Sequence, residues 1–384
     1  MDTCTADYER LARGLGGLRC DGNPLITLTN PFGLQHWSMP VIEALLVVGA
    51  VACLIHALRW RREHGDSSNL VVWIASIFVL LMVEPIAYFP QWFGLERSLG
   101  LTFVHNQFSV QFLYDRLPLY IVAMYPVYTY ISYVLIQRTG IFKRHNVIVG
   151  ATCVAFTFHC LYEVVDTVGV QFRWWVWNEE LSTSVPALGV VPYLNIQAFS
   201  LGVPFGIALL TLLVSKRPAP SGWRVARNVL VVCLFTWPVM FLSSLPATLL
   251  NLVGVPIISA RLVGTWLLIA AAAALSAVVL AREYAARRSD SSRVPAGVER
   301  DYFALVCVVV YLVACVAFWG AALPDYLRAD HGITPSGAPT GSLAYGVVTF
   351  VLSVALTAAC YLATTSRARQ GALATVAAYD DPAP

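Results

Sequence analysis

Charge is what this chain has least of. Asp, Glu, Lys and Arg supply 12% of its 384 residues, about half the share usual in a globular domain. Lysine is nearly missing, with only Lys143 and Lys216 beside 23 arginines. Because 58% of the residues are hydrophobic, there is too little polar surface to cover the rest in water, which excludes a soluble enzyme. The net charge of +3 is too small and too dispersed for a nucleic-acid partner. Several chemical signatures are missing too: a phosphate-cradling glycine loop, an HExxH pair, a CxxC pair and the aspartate-rich motifs that bind diphosphates. No motif asks for a cofactor or a metal. No basic–apolar–small succession of a secretory leader is visible before Met39.

Long apolar runs are present instead. A bilayer core of ~30 Å needs ~20 residues of helix. Nine segments qualify: 39–59, 70–90, 117–137, 147–170, 192–215, 228–252, 257–281, 302–323 and 342–364. Each must satisfy its own backbone in lipid, so each is expected to be a helix. The expected fold is an all-α, polytopic transmembrane bundle. Basic residues then set its sidedness. Alternate connections carry 17 of them, in clusters such as Arg59, Arg61 and Arg62 or Arg287, Arg288 and Arg293, while the other side holds eight. The N-terminus is therefore expected outside and the C-terminus inside. The Arg-, Ala-, Val- and Leu-rich composition fits a GC-rich bacterium, hence a multi-pass protein of a bacterial cell membrane. The chain divides into an extracytoplasmic segment 1–38, a seven-helix core 39–281, a cytoplasmic linker 282–300, two further helices within 301–366 and a polar tail 367–384 expected to be disordered.

Seven of the nine cysteines fall in apolar runs, where Cys acts as a small hydrophobe. Cys4 and Cys20 lie in polar sequence and, if the N-terminus is outside, are free to close a disulfide loop.

Acidic groups inside a span need a reason. Glu84 lies in the second span, and Glu163 and Asp166 lie in the fourth, with His159 one turn deeper. The spacing i, i+4, i+7 puts His159, Glu163 and Asp166 within about 60° on one helix face. Two carboxylates there repel, which favours keeping a proton on one of them. A repeat is faintly visible. Glu84 precedes Gln91 and Trp92 and then Leu117-Pro118-Leu119-Tyr120; Glu163 precedes Gln171, Trp174 and Trp175 and then Val191-Pro192-Tyr193-Leu194. Such a repeat would set two carboxylates about one cavity. Candidate lining residues are Trp174, Trp175, Trp177, Tyr125, Tyr128, Asn195, Gln197 and Trp237, the last followed by a kinking proline. Each has a plainer reading: Trp and Tyr form interfacial belts, a lone His packs, and a Glu near the surface is solvated.

The run His159-Cys160-Leu161-Tyr162-Glu163, then Asp166, Gly169, Phe172, Trp175 and Trp177, then Leu188-Gly189-Val190-Val191-Pro192-Tyr193, is similar to the pattern of integral-membrane carotenoid hydratases and related carotenoid-biosynthesis proteins. It departs from that pattern where Trp175 and Trp177 replace the commoner tyrosines, and two extra helices follow residue 300. The His-x-x-x-Glu spacing resembles the emopamil-binding-type sterol isomerases, and the paired acids resemble small membrane-integral terpene cyclases. The resemblance implies a terpenoid or carotenoid biosynthetic enzyme that protonates a carbon–carbon double bond within the membrane. Cyclisation, hydration or isomerisation would follow, with Glu163 or Asp166 as acid, His159 tuning it and Glu84 across the cavity. The expected partners are a lipophilic small-molecule substrate and membrane lipid. A proton-coupled exporter of a small lipophilic compound and a non-catalytic scaffold are the competing expectations.

Overall fold

The computed structural model describes residues 3–17, 20–215, 222–295, 297–298 and 300–379, with backbone alone beyond Leu362. Among the described residues, nine helices are long and apolar enough to cross a membrane. We number these spans one to nine: Ser38–His64, Ser68–Tyr88, Leu119–Thr139, Val147–Gly169, Tyr193–Val214, Gly222–Leu252, Ile257–Ser289, Phe303–Leu327 and Leu343–Leu362. Each expected segment has its helix, and the protein is an all-α, polytopic membrane bundle.

Local chemistry sets the ends. Gly65 and Gly140 take left-handed conformations that stop spans one and three, which glycine does without a Cβ penalty. The Asn146 side chain accepts from the Val149 amide and opens span four. Span six is interrupted by a tighter turn at Leu242–Ser244, just after Pro238. Span seven runs on to Ser289, so much of the Arg-rich stretch after Arg282 is helix. The helix of span nine continues in backbone to Tyr379, through the Ala-rich sequence where a disordered tail is expected. Alanine has the highest helix propensity. Residues 380–384 lie outside the described set.

Spans three and four are central. Of their apolar windows 89% and 78% are buried, against 22–33% for spans one, six, seven, eight and nine. The outer helices leave apolar residues such as Val48, Leu234, Trp266 and Val351 exposed, as lipid-facing surfaces require. Spans eight and nine follow the linker yet pack directly on span four: the Tyr311 hydroxyl donates to the Leu161 carbonyl at 2.7 Å.

Seven short strands sit at the end of the bundle that carries the N-terminus. They are β1 (Ile26–Leu28), β2 (Phe103–His105), β3 (Val110–Phe112), β4 (Leu117–Pro118), β5 (Trp175–Trp177), β6 (Pro186–Leu188) and β7 (Val191–Pro192). Two units share one order. Span two leads to β2, the hairpin β3–β4 and span three; span four leads to β5, the hairpin β6–β7 and span five. Pro118 and Pro192 hold the same place and nearly the same backbone angles, φ −69° and ψ 147° against φ −66° and ψ 147°. Each proline lies one residue ahead of its helix. The repeat faint in the sequence is explicit in topology.

β2 and β5, one from each unit, pair antiparallel, with Phe103 opposite Trp177, Val104 opposite Val176 and His105 opposite Trp175. Alternation along the strands splits the two faces. Val104 and Val176 pack outward beneath the N-terminal helix Ala6–Gly14, with Tyr8, Leu11 and Ala12. Cys4 and Cys20 are joined as a disulfide beside that helix, which agrees with an oxidising, extracytoplasmic side.

Candidate functional site

The inward face of the β2–β5 pair roofs a cavity. Phe103, His105, Trp175 and Trp177 line it from above. Glu84 enters from span two, Ile121, Met124 and Tyr125 from span three, Tyr162, Val165 and Asp166 from span four, and Asn195 and Phe199 from span five. Each repeated unit thus contributes one carboxylate and one roof strand. Glu84 is 2% exposed and Asp166 1%, so both face the interior and neither faces lipid. No Lys or Arg lines the cavity. Its volume is about 30 Å³, room for about two water molecules and far below the ~300–1,000 Å³ of pockets that hold organic ligands.

The two carboxylates are held differently. Asn195 Nδ2 donates to Asp166 Oδ2 at 2.9 Å. Glu84 Oε2 has no hydrogen-bond partner of good geometry, and the Tyr88 hydroxyl one turn on lies within interaction range of the same carboxylate. His105 shares a 2.9 Å hydrogen bond through Nδ1 with the Tyr120 hydroxyl and is ringed by Tyr88, Phe103 and Trp175. Burial pushes its imidazole down to about 3, so His105 is neutral at ordinary pH.

Glu163 and His159 share the helix face with Asp166 but do not line the cavity. They belong to a second polar cluster behind it. Ser200 Oγ donates to Glu163 Oε1 at 2.9 Å and lies 2.7 Å from His159 Nδ1. His159 Nε2 is 2.6 Å from the Tyr345 hydroxyl. One neutral tautomer satisfies all three contacts. With Glu163 as a carboxylate acceptor, the Ser200 proton goes to Glu163, Nδ1–H donates to Ser200, and Nε2 accepts from Tyr345. The chain of donors runs one way, from span nine to Glu163. Ser200 sits in a wider, π-helical stretch of span five, Ile196–Gly202, a distortion that recurs at functional sites.

The remaining candidates are structural neighbours. Trp174 is fully buried, and its Nε1 donates to Ser38 Oγ at 2.8 Å. Tyr128 stacks edge-on against Phe158, Tyr162 and Tyr311. Gln197 donates to Thr265 Oγ1 at 2.8 Å. Trp237 packs against the core in span six away from the cavity. His105, Phe199, Ser200 and Tyr345 escaped the sequence reading. His105 lies on a short strand in the connection between spans two and three, and Tyr345 reaches in from span nine, 186 residues from its partner. Among the described residues no group of three or more His, Cys, Asp and Glu side chains could hold a metal ion.

Compared with protein-family models, curated proteins and solved structures, the chain matches none.

Proposed function

We propose that the protein is a membrane-embedded enzyme that protonates a carbon–carbon double bond of a lipophilic, polyisoprenoid-like substrate, giving cyclisation, hydration or isomerisation. One observation carries this reading: Glu84 and Asp166, from two repeated units, enter a single ring-walled cavity lined by no Lys or Arg. Alkene protonation needs an acid kept protonated by a dry site. The carbocation formed needs negative charge and aromatic faces, the latter contributing ~2 kcal/mol or more per desolvated ring. Glu84, whose Oε2 is left without a hydrogen-bond partner, is assigned the acid. Asp166, oriented by Asn195, faces the developing cation. This shifts the acid from the Glu163–Asp166 pair favoured by helix spacing to the Glu84–Asp166 pair favoured by the cavity. A substrate much larger than water requires the β2–β5 roof to move.

A test compares lipid extracts, by mass spectrometry, of a deletion strain carrying wild-type, Glu84→Gln or Asp166→Asn protein. Each variant should lose the wild-type product by at least about a hundredfold, as general-acid catalysis contributes ~10²–10⁴. Wild-type product levels in both variants would end the proposal.

The second reading is a proton-coupled carrier. Two like-ordered units about a shared cavity favour it, since carriers rock repeated units around a central site. Uptake of an unchanged compound into vesicles, driven by a pH gradient and lost in Glu84→Gln, would support it over the enzyme.

A further inference from the structure

At the opposite, arginine-rich end, a cleft of about 670 Å³ opens between span one and span eight. It is more than twenty times the volume of the cavity between the acids, and nothing in the proposed chemistry uses it. Its lining changes character with depth. Ala52, Ile55 and Val306 form the part nearer the membrane centre, whereas Arg59, His64 and Arg300 stand at the mouth. Ala52 and Arg59 are seven residues apart on one helix, ~10 Å along its axis.

The walls are held in place. Arg138 donates to the carbonyls of Val298 and Asp301, at 2.6 and 2.5 Å. His56 stacks on Phe303 at 4.3 Å, lies 2.6 Å from the Tyr130 hydroxyl and reaches Asp301 at 3.3 Å. Among the described residues, the negative charges facing the cleft are already engaged. Asp301 has His56 and Arg138, and Glu63 is paired with Arg59 at 2.7 Å. Arg300 is exposed and has no partner among the described residues. Among the described residues one cation is therefore without an acidic partner, and a second is tied only by a surface pair, which is weak and easily exchanged.

We propose that this cleft binds the phosphodiester headgroup of an anionic phospholipid, with Arg59 and Arg300 on the phosphate and Ala52, Ile55 and Val306 against the start of an acyl chain. The vertical split between apolar wall and cationic mouth matches a lipid better than a free anion. Basic pockets between spans at this level of the bilayer suit such headgroups.

The test uses the full-length protein, delipidated in a neutral detergent, with binding read by native mass spectrometry and thermal stability. Dioleoylphosphatidylglycerol should stay bound and raise the Tm, while dioleoylphosphatidylcholine and inorganic phosphate at equal concentration should not. Arg59→Gln and Arg300→Gln should each weaken phosphatidylglycerol binding about fivefold, from roughly 1 kcal/mol per arginine. Glu63→Gln should strengthen binding by freeing Arg59. Arg282→Gln, exposed on span seven, should leave it unchanged. The proposal is overturned if phosphatidylcholine binds equally well, if phosphate alone reproduces the Tm shift, or if the double arginine variant binds like wild type.

Discussion

At the scale of single residues, the difference between Glu163 and Asp166 is one of partners. Both are buried on one helix face, yet Asp166 enters the cavity and Glu163 ends a donor chain through Ser200, His159 and Tyr345. Ser200→Ala removes the hydroxyl that bridges a buried imidazole and a buried carboxylate, leaving them only their longer 3.4 Å contact. An unmade buried hydrogen bond costs ~1–3 kcal/mol, more for charged groups, so a thermal-shift assay should show a clearly lower Tm. An unchanged Tm would mean that the chain is not intact in the folded protein. Spacing alone put His159, Glu163 and Asp166 on one face, and the structure agrees. Spacing could not say which of them meets the empty space, because that depends on the neighbours supplied by spans two, five and nine.

At the scale of elements, the roof is the informative piece. A Cβ on Gly169 would come within 2.1 Å of the Trp175 ring, so the end of span four and strand β5 fit only without a side chain there. Gly169→Ala should push Trp175 off its place, destabilise the protein by about 1–3 kcal/mol as overpacking does, and cut product formation. A crystal or cryo-EM structure of the variant with β5 unmoved would contradict this. His105 adds a pH dependence. Its folded-state value of about 3 lies below the ordinary 6.5, so the unfolded chain takes the proton first. Stability from this group is complete above about pH 6.5 and declines as the pH falls toward 3, by at most about 1.4 kcal/mol per pH unit. His105→Gln should flatten the acid limb of a Tm–pH curve; equal slopes for the two proteins would count against a buried neutral imidazole. The strands were not legible beforehand. They are two or three residues long, too short for a period of two to stand out among aromatic residues. The helices were legible because runs of about twenty apolar residues have few other uses.

At the scale of the whole molecule, the arginine asymmetry and the Cys4–Cys20 bridge agree on sidedness. A cysteine placed at exposed Ser98 should react with a membrane-impermeant maleimide in intact cells, and one at exposed Ser292 only after permeabilisation. The reverse pattern would invert the topology. Glu283 ties the linker to the bundle, receiving Arg144 at 2.7 Å, His145 at 3.0 Å and Arg293 at 3.3 Å. Glu283→Gln should therefore speed proteolysis between spans seven and eight. Composition suggests a seven-helix core followed by a separate pair, but Tyr311 and Tyr345 both reach span four. Contacts made across so many residues leave no local trace.

The meeting of β2 with β5 has one more implication. Its rungs are main-chain bonds, indifferent to which rings hang below them. Descendants of this chain can exchange Phe103, Trp175 or Trp177 for other shapes, and so alter what the chamber admits, while the clasp joining its two halves stays as strong as before.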